Sequence, residues 1–307
     1  MGNGDKGELV LSFACEGETL EIALSEAGAS RTTAKLLAAL PARVDLHCAK
    51  IAGNHILWHA PFVEATEAAA DVMTMGPGAF IYWPERQFLE LIFGELQAET
   101  ASVTVLGRMR GDVAPLRRIG ERVAGGQGHR VVWADITLGG EGRRSEPVAQ
   151  TQTQPRASAP LRALREKRLA LWAGAPPEVD ALMRRRGPML PAGPLLMAES
   201  EARKLHEILW LALGESRADP GASLAAVLAL RGAASRLAGF CGLHDAGGTL
   251  LEAAACLESV PADARHVIEE LILYAGRLAG WLDLRIPWRA VNETVLVAHA
   301  EWPAKDG

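Results

Sequence analysis

The chain has 307 residues, of which 49% are hydrophobic and 22% are charged, so it is long enough for two globular domains and too apolar for general disorder. A formal net charge of −5 argues against the basic balance of a dedicated nucleic-acid binder. No apolar run approaches the roughly 18 residues of a membrane span, and residues 1–7 lack the pattern of a secretory signal. We therefore expect a cytoplasmic protein that binds neither nucleic acid nor a membrane.

The first 140 residues read mainly as β-strands. Apolar and polar residues alternate in segments 8–13 and 18–24, with Gly17 as a turn between them. A helix is predicted to start near Ser30 and to end before Pro41. Further strands are predicted at 55–58, 79–83, 89–93, 103–109 and 130–138. These elements predict a mainly antiparallel barrel with one or two helices.

The strongest local signal is a β-hairpin over residues 76–94. Two apolar, aromatic runs flank the short polar turn Glu85-Arg86-Gln87, and Gly and Pro residues mark the start of the first run. The turn places charged side chains beside Trp83. A polar rim next to an aromatic surface is therefore predicted.

Composition changes between residues 141 and 160, where Gly, Gln, Thr and charged residues predominate and a linker is predicted. After it, apolar residues recur at intervals of three and four, which is typical of amphipathic helices. Three such stripes are read from the sequence: Val267 to Leu282; Leu224, Val227, Leu228, Ala234 and Leu237; and Leu205, Ile208, Leu209 and Ala212. The predicted fold class is α+β, with a barrel domain over 1–140, a linker over 141–160 and an all-α helical bundle over 161–307.

Two histidines, His55 and His59, lie four residues apart in a strand-like segment. On a strand this spacing separates two residues by about 13 Å, too far for both to bind one metal ion. A role in a pocket and a purely structural role both remain open for each histidine. The glycine-rich segment 125–128 precedes a strand instead of opening a helix, so it does not predict a phosphate site. We expect neither a metal nor a cofactor.

Charged residues surround Trp83 in the sequence. An arginine such as Arg86 beside an indole can orient a carboxylate or amide ligand, and a buried Glu85 or Glu90 with a raised pKa could act as a general base. The alternative is an ordinary charged hairpin turn. Trp58 and Trp83 can equally be core or barrel-rim residues.

The N-terminal half resembles the bacterial cyclophilin-like domain families, which are compact β-barrels and often lack an assigned activity. The resemblance rests on the order of several short motifs: Leu40-Pro41, residues 49–55 leading into Trp58, Pro77-Gly78 before Tyr82-Trp83-Pro84, residues 90–94 and residues 107–111. In those families the segment before the tryptophan strand often reads Arg-Trp-Ser-Gly-Glu. Here Ile51 replaces the aromatic residue and Asn54 the acidic one. Prolyl isomerase activity does not follow from the resemblance.

The resemblance implies a barrel that binds a small polar or cyclic metabolite, with hydrolysis or isomerisation as the activity such a site could carry. The predicted catalytic residues are His55, His59, Glu85 and Glu90, and the predicted ligand-binding residues are Lys50, Asn54, Arg86, Trp58 and Trp83. The alternative is a non-catalytic interaction protein that docks a partner, or a second copy, through residues 161–307. Trp281, Leu284, Ile286 and Trp288 support it as apolar residues expected to be exposed near a helix end.

Overall fold

The computed structural model describes residues 9–25, 27–50, 53–96, 101–139, 157–215 and 220–300. Its strands all precede residue 139, and most of its helices follow residue 157. The predicted fold class, a barrel followed by a helical region, is confirmed. The predicted linker falls mostly on residues 140–156, which lie outside the described residues. The domain boundaries themselves stay a prediction.

Eight antiparallel strands of the described chain close into a barrel, and a short ninth strand joins its side. The strands are β1 (Val10–Cys15), β2 (Glu18–Leu24), β3 (Ala42–Cys48), β4 (His55–His59), β5 (Ala70–Asp71), β6 (Ala79–Trp83), β7 (Phe88–Ile92), β8 (Ser102–Met109) and β9 (Val132–Leu138). Their order around the barrel is β2-β1-β9-β3-β4-β7-β6-β8, and β8 pairs back with β2. The short strand β5 pairs with β8.

Barrel closure depends on a close backbone approach at Gly107, which pairs with Leu24 where β8 meets β2. A Cβ atom at Gly107 would lie 2.1 Å from the carbonyl oxygen of Ala23, so this position has no room for a side chain. The pairing of β8 with β6 also shifts register near Phe80 and Ile81, as at a β-bulge. Both features let the sheet curve until its edges meet.

The predicted strands were mostly correct, and the predicted hairpin is confirmed. β6 pairs antiparallel with β7, and a 3₁₀ turn at Pro84–Arg86 followed by a left-handed Gln87 joins them. The strands β3 and β5 were missed, and the second helix of the barrel region, Ala114–Gly126, had no predicted position. In β3 the alternation of Val44 and Leu46 with charged and polar neighbours was present but was not recognised.

The helices are α1 (Ser30–Ala38), α2 (Ala114–Gly126), α3 (Ala159–Ala173), α4 (Pro177–Arg184), α5 (Ala192–Glu215), α6 (Pro220–Arg236), α7 (His244–Ser259), α8 (Ala264–Asp283) and α9 (Trp288–Ala300). Helix α8 contacts α3, α5 and the barrel strand β4. Because neighbours cover it on several sides, its apolar residues from Val267 onward and its polar Glu270, Arg277 and Asp283 are all buried.

Part of the predicted helical patterning is wrong. Leu224 and Leu228 of α6 are 61% and 60% exposed, whereas Val227, Ala234 and Leu237 are buried as expected. In the described residues, the segment Ser223–Cys241 is the one helix with the length and mean hydropathy (1.4) of a membrane span, and 39% of it is buried inside the protein.

The barrel has an apolar interior and an outer face that is covered on one side. Along β4, Ile56 and Trp58 belong to the barrel core, so His55, Leu57 and His59 point to the opposite, outer face. The helical region packs against this outer face. A polar layer therefore becomes buried between the barrel and the helices.

Candidate functional site

A cavity of about 520 Å³ lies between the outer face of the barrel and the helices α3 and α8. It is lined by Arg43, Val44 and Asp45 of β3, Trp58 and His59 of β4, Trp133 of β9, Trp172 and Ala173 of α3, and Arg277 and Trp281 of α8. Arg43 and Ala173 are exposed, so the cavity reaches the protein surface. Its volume falls in the range typical of small-molecule sites, about 300–1,000 Å³.

Aromatic side chains and one arginine form the helical wall of the cavity. The guanidinium carbon of Arg277 lies 4.0 Å from the ring centroid of Trp281 and 5.5 Å from that of Trp172. The two indole N–H groups donate to backbone carbonyls of the helices, Trp281 to Leu171 at 2.8 Å and Trp172 to Leu273 at 3.1 Å. Both rings and the guanidinium are therefore held in fixed orientations.

Arg277 is also bound to the barrel. Its Nη1 atom donates to both carboxylate oxygens of Asp45, at 2.7 and 2.8 Å, and both side chains are almost fully buried. This pair and the hydrogen bond from His47 hold the pKa of Asp45 below its usual value, even though burial alone would raise it. Within the described residues, Arg277 Nε has no hydrogen-bond partner.

On the barrel side, the cavity lining includes His59, which is 3% exposed. Its ring lies edge-on to Phe88 and to His47, with centroids 5.0 and 5.2 Å away. No group in the described chain forms a hydrogen bond with either ring nitrogen. Burial, together with the positive charges of His47, Arg203 and Arg277, holds the pKa of His59 well below its usual value. His59 is therefore a neutral imidazole.

Behind Asp45, a histidine bridges two carboxylates across the junction of barrel and helices. His47 Nδ1 donates to Asp283 Oδ2 at 2.6 Å, and its Nε2 lies 3.3 Å from Asp45 Oδ2. Burial opposes the charged form, but the two carboxylates outweigh it and raise the pKa of His47. Gln127 and Trp288 also donate to Asp283. His47 is thus an imidazolium between two anions.

The polar layer continues toward Lys50, one of the predicted ligand-binding residues. Lys50 pairs with the buried Glu199 and lies 3.7 Å from Asp283. Glu199 also accepts hydrogen bonds from Arg203, at 3.2 Å. In this structure Lys50 therefore has acidic protein partners and lies outside the cavity lining.

The hairpin residues that were predicted to form one site do not lie together in the structure. Glu90 is 1% exposed and lies in the middle of β7, opposite Leu57 of β4 and Ile81 of β6. The side chain of Glu85 is exposed. Arg86 pairs with Glu207 of α5 and lies 5.7 Å from the ring of Trp83. The hairpin turn thus docks on α5, and Glu90 shares the buried outer face with His59.

The remaining predicted site residues are dispersed. Trp58 contributes to the cavity lining, but its ring packs inside the barrel against Phe13 and Phe80. Trp83 belongs to a separate apolar cluster, so the two indoles do not form a common wall. Asn54 donates to the backbone carbonyl of Glu95 in a loop. His55 lies at the start of β4, and burial lowers its pKa to about 4. His55 and Asn54 are outside the cavity lining.

Sequence reasoning missed most of the cavity residues. Asp45 and His47 lie on the unrecognised strand β3, whose alternating pattern could have placed them on one face. Arg277 and Asp283 interrupt the apolar stripe of α8, and a charged residue on such a stripe signals a buried partner. Trp281, Leu284 and Ile286, expected to be exposed, are 6%, 3% and 1% exposed because α3 and the barrel cover this helix end. Among the described residues, no three His, Cys, Asp or Glu side chains are grouped so that they could hold a metal ion.

The fold and this site together define a closed eight-stranded antiparallel barrel whose outer face is covered by a helical region, with a cavity at the junction. The same architecture is found in McbB, whose structure was solved in complex with tryptophan. The TM-score is 0.74 at 18% sequence identity, and the match covers 94% of this chain and 99% of the McbB chain. At this identity the likeness shows the fold alone.

A hypothetical protein from Archaeoglobus fulgidus, known from a solution structure, matches with a TM-score of 0.35 at 21% identity over 44% of this chain and 99% of its own. No protein-family model matches the chain, and no curated protein matches it by sequence. The barrel and the helical region are thus established, and the cyclophilin-like resemblance stays a prediction.

Proposed function

We propose that this protein binds a small aromatic molecule in the cavity between its barrel and its helices, and that the ligand belongs to the class of aromatic amino acids. The main support is the composition of the cavity lining, which combines three tryptophans with two polar side chains: Trp133, Trp172, Trp281, Arg277 and His59. Aromatic walls with a few oriented polar groups are typical of small-molecule sites.

The chemistry of the lining supports a ligand with one flat apolar end and one polar end. Indole faces favour a planar ring, which gains about 0.5–1.5 kcal/mol per aromatic pair beyond the area it buries. Arg277 and His59 supply polar atoms that have unused hydrogen-bonding capacity among the described residues. The complex of McbB with tryptophan supports the amino-acid class, because that protein has the same architecture.

Catalysis of the ligand, as hydrolysis or isomerisation, stays a prediction. Of the predicted acid-base residues, His59 lines the cavity and Glu90 lies on the same buried face of the neighbouring strand. Glu85 and His55 are outside the lining. Glu90 is outside the lining as well, so His59 is the predicted acid-base residue that could transfer a proton within the cavity.

The test is the affinity of the full chain for L-tryptophan, measured by isothermal titration calorimetry. We expect saturable binding by the wild type and about a tenfold loss for Trp133→Leu, which removes one aromatic wall. Trp210→Leu is the matched control, because Trp210 is a half-buried tryptophan of α5 outside the cavity. Absence of binding by the wild type, or equal losses in the two variants, would overturn the proposal.

The alternative function, docking of a partner or a second copy through the helical region, also stays a prediction. Three of the apolar residues expected to be exposed for docking are instead buried in the protein itself: Trp281, Leu284 and Ile286. Cytoplasmic location and the absence of nucleic-acid or membrane partners likewise stay predictions.

A further inference from the structure

His59 has a placement that a purely structural histidine rarely has. It lines a surface-reaching cavity, is almost fully buried, and has no hydrogen-bond partner on either ring nitrogen within the described residues. A buried polar atom without a hydrogen-bond partner carries an energetic cost. A ligand that supplies the missing partner would recover part of this cost on binding.

The surroundings of His59 decide what charge such a ligand group can carry. Positive groups face it from three elements: His47 on β3, Arg203 on α5 and Arg277 on α8. The neutral His206 of α5 also faces it. Asp45, the nearest acid of the lining, is already bound to both Arg277 and His47, and Glu90 lies on the neighbouring strand. These cations have carboxylate partners of their own, Asp283 for His47 and Glu199 for Arg203, but the charges that act on the His59 ring are positive, so an entering anion is favoured over a cation.

We propose that His59 binds the carboxylate of the ligand and takes up a proton from solvent as it does so. In the free protein the imidazole is neutral. When a carboxylate enters hydrogen-bond distance, its charge stabilises the imidazolium, so the second ring nitrogen gains a proton and no other bond changes. This inference rests on the proposed function, because it assigns the polar end of the same ligand.

The geometry also fixes the position of the ring. A Cβ atom on Gly280 of α8 would lie 2.7 Å from His59 Cε1, so the helix backbone supports the ring on one side. Phe88 and His47 confine it on two others. These contacts hold the His59 ring in a fixed position beside the cavity.

The experiment compares L-tryptophan with tryptamine, which has the same indole and amine but no carboxylate. Calorimetry of the full chain at about pH 6, in two buffers of different ionisation enthalpy, measures both affinity and proton uptake. For the wild type we expect tryptamine to bind at least about tenfold more weakly, and tryptophan binding to take up protons. His59→Gln keeps a polar side chain but cannot be charged, so it should bind tryptophan about tenfold more weakly or worse and without proton uptake.

The matched control is His206→Gln. His206 is also buried and has a pKa of about 4, but its ring nitrogens face the backbone carbonyls of Ile272 and Glu85 and it lies outside the cavity lining. We expect tryptophan affinity within about twofold of the wild type and unchanged proton uptake. Thermal unfolding of each variant checks that the fold is intact.

The outcomes separate the two proposals. If the wild type binds tryptophan and tryptamine equally, or if His59→Gln retains full affinity and proton uptake, the role of His59 is overturned while the cavity remains a binding site. If the wild type binds neither compound, the proposed function itself fails.

Discussion

At the scale of single residues, the site combines side chains whose protonation is set by their neighbours. His47 and His59 lie next to each other, yet only His47 has carboxylates on both sides. The carboxylates raise the pKa of His47, whereas burial and nearby positive charges lower that of His59. Two identical side chains thus provide a fixed cation and a neutral hydrogen-bonding group.

Replacement of His59 by Leu should leave the protein as stable as the wild type or up to about 2 kcal/mol more stable. The change removes two buried ring nitrogens without partners in the described residues, and the leucine is of similar size. Urea unfolding measures the free energy difference. A loss of stability above about 2 kcal/mol would mean that the ring nitrogens have stabilising partners in solution.

The secondary-structure elements determine how close the two halves of the site can come. Helix α8 crosses the barrel with Gly276 and Gly280 at the contact, and a Cβ atom at Gly276 would lie 2.6 Å from Gln87 Oε1. A side chain at either position would separate the helix from the barrel. The glycines therefore set the distance across which Arg277 reaches Asp45.

Substitution of Gly280 by Ala should destabilise the protein by about 1–3 kcal/mol, because the added methyl group collides with the confined ring of His59. Gly248→Ala on α7 is the control, since a Cβ atom there meets nothing within 4 Å. The control should be neutral or about 0.5–1 kcal/mol more stable through helix propensity. Denaturant unfolding of both variants measures these differences in the free energy of unfolding. An unchanged stability of Gly280→Ala would contradict the tight contact between Gly280 and His59.

For the whole molecule, the barrel and the helices are joined by buried charges as well as by apolar packing. Asp45 and His47 come from the barrel, while Arg277 and Asp283 come from the last turns of α8. Removing one member leaves a buried charge without its partner, which costs about 3–5 kcal/mol. We therefore infer that the barrel and the helical region stabilise each other.

The stability of this junction should depend on pH through His47. The pKa of His47 is higher in the folded protein than in the unfolded chain, so its stabilising contribution is complete below about pH 6.5 and is lost as the pH rises through the folded pKa. The pKa values of Asp45 and Asp283 are lowered, so their contribution is present above about pH 4 and disappears in acid. His47→Gln should remove the loss of stability at alkaline pH. Free energies of unfolding measured from about pH 4 to about pH 10 test this. An identical pH profile for wild type and variant would contradict this assignment.

The sequence predicted those features that are local. The hairpin around Glu85-Arg86-Gln87 and its strand 79–83 followed from two apolar, aromatic runs and the turn residues between them, which act within a few residues of each other. Exposure was less predictable. Leu224 looked buried and is exposed, whereas Trp281 looked exposed and is buried, because each depends on which helix happens to lie beside it.

The sequence by itself therefore determined the class of fold, a barrel followed by helices, since strand and helix periodicities are properties of the local chain. Only the tertiary structure decided the site. His47 and Asp283 are 236 positions apart and Arg277 and Asp45 are 232 apart, and no local pattern links residues at such separations. They meet because the apolar stripe of α8 must be buried, and the outer face of the barrel is the surface that buries it.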